Sequence, residues 1–200
     1  WMLYLPSFIV AIILMVPFVI IAEKKRQMKS VLLGMVALMI FGQIGVWFFT
    51  GSLIGLLISL AAYFTAFTVL EALLPSWISK VAPVSAKGTA MGVYSSSQYI
   101  GAFVGGTLAG ALLAWHDSTV LMVCLWIGLG LWWLVAFTQK QPPYLSTRIL
   151  HIGDIAEEEV LKTEQALLAK PGVVEVMVSP IEGTAYLKVI ASEYDSKAQC

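Results

Sequence analysis

The sequence predicts an all-α membrane bundle of five transmembrane helices followed by a truncated α+β domain, and three observations predict it. Hydrophobic residues make up 59% of the 200-residue chain and charged ones 12%, a balance outside the range of soluble globular domains. Five stretches, about 2 to 22, 31 to 49, 53 to 75, 90 to 114 and 119 to 138, are each long and apolar enough to cross roughly 30 Å of hydrocarbon as a helix, the one open-ended structure that satisfies its own backbone in lipid. After Pro142-Pro143 the apolar runs give way to short alternating segments.

The connectors set the topology. A charged run from Glu23 to Lys29 follows the first helix, Thr50-Gly51-Ser52 the second, a longer loop from Ser76 to Lys87 the third, and a tight turn from Trp115 to Ser118 the fourth. Every Lys and Arg of the membrane part falls in alternate connectors: Lys24, Lys25, Arg26 and Lys29, then Lys80 and Lys87, then Lys140. By the positive-inside rule these face the cytoplasm, Trp1 lies outside and the C-terminal appendage is cytoplasmic. Trp47, Trp77 and Trp115 stand at span ends, where indoles prefer the headgroup layer. The net charge of zero hides a split, with seven basic and three acidic residues up to Gln141 and five basic and nine acidic after it. The first apolar run has no basic leader and no small-residue cleavage site, so it reads as a span and not a signal peptide. An odd span count, an outside start and no initiator Met are expected of a chain that lacks an N-terminal part.

The most informative stretch runs from Leu70 to Gly110. It contains Glu71, Pro75, Pro83, the run Gly88-Thr89-Ala90-Met91-Gly92, then Tyr94, Gln98, Gly101, Gly105, Gly106 and Gly110. Gly88 and Gly92, Gly101 and Gly105, and Gly106 and Gly110 are each one turn apart, a spacing that lets another helix backbone approach closely. The stretch resembles the tenth and eleventh helices of major facilitator superfamily transporters, particularly the drug-efflux type. With the acidic tail, the likeness is to the YajR-type subfamily, whose chains end in a ferredoxin-like module. The resemblance implies that the five helices correspond to the family's eighth to twelfth, in a multi-pass protein of the bacterial inner membrane. It also implies that the first, third and fourth helices line a central cavity while the second and fifth lie outside it. The partner of the glycine-bearing helix start is then an acidic loop residue of the missing N-terminal half.

Glu71 is the one acidic or basic residue within the five predicted spans. A carboxylate in hydrocarbon is costly unless neutralised, paired or wetted, which makes it a functional candidate; the alternative is a pairing with a basic loop near the cytoplasmic end. Thr68 and Phe64 share its face. Tyr94 and Gln98 stand one turn apart in an unusually polar turn with Ser95, Ser96, Ser97 and Tyr99, which should face a wet cavity or another helix. Combined with the family's cavity helices, these considerations nominate Tyr4, Ser7, Tyr63, Glu71, Tyr94 and Gln98 as cavity residues, each equally readable as an interhelical hydrogen bond. Gln43 and the Trp126, Trp132, Trp133 set read as packing and lipid contact. Lys24-Lys25-Arg26 reads as a topology determinant or a contact with anionic lipid.

In the appendage, Thr147 to Ile152 reads as a strand, Asp154 as the cap of a helix ending at Lys170-Pro171-Gly172, and Val174, Val176 and Val178 as a second strand. Pro180 to Gly183 is a turn and Ala185 to Ile190 a third strand. This order is that of a ferredoxin-like split βαβ module lacking its last helix and strand. Two cysteines, Cys124 and Cys200, provide neither a disulfide framework nor a metal site; His151-Ile152-Gly153-Asp154 has no cysteine where heavy-metal modules carry theirs. Acidity and the lack of aromatic stacking residues argue against nucleic acid as a partner.

These readings lead to a secondary transporter, exporting small amphipathic compounds in exchange for protons by alternating access, with the lipid bilayer, a small-molecule substrate and protons as its partners and no cofactor. Two alternatives stay open. One is a nutrient or ion symporter of the same superfamily, the other a membrane anchor or sensor presenting its small domain to a cytoplasmic partner. No nucleophile-base set or phosphate loop supports an enzyme.

Overall fold

A computed structural model describes residues 2–115, 117–153, 157–180 and 182–190, without the side chains of residues 157 and 158. Five helices come first: α1 (Tyr4–Lys24), α2 (Met28–Phe48), α3 (Leu53–Val81), α4 (Lys87–Trp115) and α5 (Ser118–Thr138). All five are long and apolar enough to cross a membrane. A short 3-10 turn (Val84–Ala86) precedes α4. Strand β1 (Ser146–His151), helix α6 (Glu157–Leu168) and strands β2 (Val173–Ser179) and β3 (Thr184–Val189) follow. The expectations for Trp1, His116, Asp154 and Cys200 fall outside the described residues.

The chain divides into two compact units, one formed by residues 1–77 and 93–142, the other by 78–92 and 143–200. This differs from the expected division at a linker from Gln141 to Ser146, because the connection between α3 and α4 belongs with the small module. Three helix ends also differ from expectation. Charged residues at the end of α1 and the start of α2 are helical, leaving Lys25, Arg26 and Gln27 as the link; long basic side chains can stay helical while their heads reach water. Helix α3 continues through Pro75 to Val81. A proline inside a helix removes one N–H and leaves the carbonyl four residues earlier, here that of Glu71, without its helical donor.

In the first unit, Met28, Val31, Leu32, Met35, Val36, Met39 and Gly42 form the buried stripe of α2, recurring every three or four residues as one helical face must. This helix packs on α1 and α5. Gln43 donates to the Met122 sulfur at 3.3 Å and the Trp133 indole N–H to the Leu33 carbonyl at 3.2 Å, so both hold α5 against α2. The α1–α2 link closes with Arg26 at φ 55° and the Gln27 N–H donating to the Ala22 carbonyl at 3.1 Å, a left-handed helix end more often built on glycine. At Gly42 a Cβ would lie 2.8 Å from the Tyr63 backbone nitrogen and 3.0 Å from the Ser59 carbonyl. The close approach of two helix backbones is therefore made there.

In the second unit, β3 lies between β1 and β2, antiparallel to both, so β1 and β2 run parallel and α6 connects them. Alternation along β3 sends Ala185, Leu187 and Val189 to one face, where they pack with Leu167 of α6 and Val178 of β2. The Val178 N–H donates to Glu164 of α6 at 3.1 Å. Gly183 turns into β3 at φ 60° with the Gly153 carbonyl oxygen 3.1 Å from where a Cβ would sit, a place for glycine on both counts.

Candidate functional site

Four of the six nominated cavity residues come together. Tyr63 and Glu71 of α3 with Tyr94 and Gln98 of α4 line a cavity of about 450 Å³, completed by Phe67, Leu70, Leu74, Ser97, Met39 and Trp132. The arrangement follows from helical geometry. Tyr63, Phe67, Leu70, Glu71 and Leu74 recur at three- and four-residue steps along α3, and Tyr94, Ser97 and Gln98 do so on α4, so each set occupies one face. Glu71 itself is exposed in the described chain, and Tyr94 half-buried. Thr68, expected to share the face of Glu71, is not among the residues lining the cavity; its hydroxyl donates within its own helix to the carbonyls of Phe64 at 2.9 Å and Thr65 at 3.1 Å.

The other two nominees lie apart. Tyr4 is exposed and meets Phe64 edge to face at 6.1 Å, beside an apolar hollow shared with Leu5 and Phe8. Ser7 is buried and donates to the Leu3 carbonyl at 2.8 Å. Its residue type suits such a bond as well as a substrate contact.

Three features escaped the sequence reading. Trp132 and Met39 bring α5 and α2 into the cavity wall, although the resemblance implied that these helices lie outside it. Glu23, read as part of a charged connector, belongs to α1 and accepts from the Ser76 hydroxyl of α3 at 2.5 Å. Gly42 was passed over in favour of the regularly spaced glycines of α4. At Gly88, Gly92, Gly101, Gly105, Gly106 and Gly110 no atom lies within 4 Å of where a Cβ would sit, and no residue of α4 is buried. The expected close packing at these glycines is not made among the described residues.

A mostly apolar wall interrupted by a carboxyl, two phenols, an amide and a hydroxyl suits a small molecule with one polar end. These are the attributes of a polytopic membrane protein with a polar-lined cavity between its helices. The chain is 39% identical over 190 residues to the inner membrane transport protein YajR of Escherichia coli (strain K12), covering 94% of this chain and 41% of that protein. It is also 26% identical over 140 residues to an uncharacterized transporter of Buchnera aphidicola subsp. Baizongia pistaciae, covering 66% of this chain and 36% of the relative. The YajR-type resemblance read from Leu70 to Gly110 thus extends over nearly the whole chain, which spans about two fifths of the length of the curated relatives it matches. No family model matches the chain.

Proposed function

We propose that this chain is the C-terminal part of a major facilitator-type secondary transporter of the bacterial inner membrane, exporting small amphipathic compounds in exchange for protons. The observation that carries the proposal is the convergence of Glu71, Tyr63, Tyr94 and Gln98 on one cavity. Glu71 is the group that can take up and release a proton there, while the phenols and the Gln98 amide orient the polar end of a substrate against apolar walls. The relatives named as transporters support the class.

The uncovered helix α4 supports the assembly. Its six glycines meet nothing within 4 Å of an added Cβ among the described residues, as expected of a face that meets the rest of a longer transporter. The strand-helix-strand-strand order with β3 central supports reading the small module as a ferredoxin-like domain.

The test uses the full-length protein in proteoliposomes with an imposed pH gradient and a lipophilic cationic dye as probe. Glu71→Gln is expected to lower gradient-driven dye transport at least about tenfold while leaving downhill dye exchange at equal pH in place. A Glu71→Gln protein that couples dye movement to the gradient as fast as the native one would remove the proton role.

A further inference from the structure

The second compact unit contains a charge pair that holds a piece of the helical part. Glu175 and Lys188 stand opposite each other on β2 and β3, with the Lys188 Nζ 3.2 Å from Glu175 Oε2. Strand alternation puts both on the sheet face away from Leu187, Val189 and α6. A lysine there would ordinarily be solvated, yet Lys188 is only 8% exposed. It is covered by the connection between α3 and α4. The Lys188 Nζ donates to the Ala82 carbonyl, and the Val84 N–H donates to Glu175 Oε1 at 2.9 Å. Ala82 is itself buried, and the Lys80 ammonium lies 5.3 Å above the ring of Tyr144, two residues before β1. A covered ammonium is tolerated when its hydrogen bonds are met; here one carboxylate and one backbone carbonyl meet them. The carboxylate in turn accepts from the same connection.

We propose that the sheet face bearing Glu175 and Lys188 is a docking surface whose partner is the 82–84 backbone of this same chain, and that the docked module braces the hinge between α3 and α4. The pair presents a donor and an acceptor to an acceptor and a donor two residues apart, so it recognises the path of the backbone and not its side chains. Helix α3 carries Glu71 and α4 carries Tyr94 and Gln98. Any rearrangement of the two helices that re-routes residues 82–84 must break two charge-assisted hydrogen bonds or carry the module along. The docking stands independently of the transport reading; its bearing on the cavity rests on that reading.

The test is hydrogen exchange and lysine acylation of the full-length protein, read by mass spectrometry. In the native protein the peptide covering 82–87 and the Lys188 amine are protected. Lys188→Met and Glu175→Gln are each expected to speed exchange in 82–87 at least about tenfold while the amides of β2 and β3 stay protected. The double exchange Glu175→Lys with Lys188→Glu keeps a pair within the sheet but offers each backbone group the wrong partner, so it is expected to release the connection equally. Val84→Pro removes the N–H without touching the module. Pro83 at φ −56° and ψ 150° already has the extended conformation that a residue before proline takes, and this variant is expected to raise Lys188 acylation at least about tenfold. Unchanged exchange in the double variant together with unchanged acylation in Val84→Pro would overturn the proposal. Because neither readout measures transport, its failure and that of the Glu71 role are distinguishable.

Discussion

Helices α3 and α4 are both 29 residues long, and they differ in what surrounds them. Helix α3 buries Ser59, Thr65, Ala66, Val69, Leu70 and Leu73, whereas α4 buries nothing among the described residues. Apolar length therefore says that a helix can cross a bilayer and is silent about which of its faces meets protein. In lipid the hydrophobic effect does not distinguish a neighbouring helix from an acyl chain, so contacts are settled by close packing and by polar groups seeking partners. Both signals are visible in α3, where Gly42 of α2 lets a backbone in and Ser76 finds Glu23. On α4 the glycines meet open space among the described residues, and the Ser97 and Thr107 hydroxyls donate only to carbonyls of their own helix, those of Val93 and Phe103.

The sharpest way to break this contrast is to add bulk on each side of it. Gly42→Val places a branched side chain against the Tyr63 backbone, which cannot yield as a flexible side chain would; it is expected to destabilise the helical unit by about 3 kcal/mol, read as a lowered thermal midpoint in detergent. Ser76→Ala removes a hydrogen bond to a carboxylate between α1 and α3 and is expected to cost about 1.5 kcal/mol by the same measurement. Gly105→Leu on α4 meets open space, so stability of this chain is expected to change by no more than about 0.5 kcal/mol. On the proposed function, the same substitution in the full-length protein is expected to impair dye transport, the glycine face then being packed against the rest of the molecule. A Gly105→Leu chain as destabilised as Gly42→Val would show that α4 is already covered, and the contrast would fail.

The module teaches the complementary lesson. Its strands were legible because alternation along Val176 and Val178 and along Ala185, Leu187 and Val189 matches the period of a sheet with one buried face; Val174, expected on the same face, is exposed, because a bulge between Val173 and Glu175 shifts the register and brings Val173 to the core instead. The same alternation puts Lys188 on the opposite face of the sheet, where a lysine would ordinarily be solvated. What covers Lys188 is a backbone carbonyl more than a hundred residues earlier, and a backbone group leaves no trace in a sequence pattern. For the cavity, Glu71 was legible because a carboxylate in a span is rare enough to stand out, and Tyr94 and Gln98 because they make a polar turn in an apolar helix. Trp132 and Met39 were not, since aromatic and aliphatic residues on a membrane helix look alike whether they line a cavity or face lipid.

The sequence by itself determined the elements: five membrane-length helices, a helix end at Lys170-Pro171-Gly172 and three short strands. Backbone hydrogen bonds in helices, and side-chain periodicity in strands, are satisfied by residues near one another along the chain. Only the tertiary structure decided which helix faces pack, that Gly42 and not the α4 glycines makes the close approach, and that Glu175 and Lys188 hold the α3–α4 connection. Those outcomes depend on groups brought together from distant positions, and local chemistry sets what such groups can bond but not which of them will meet.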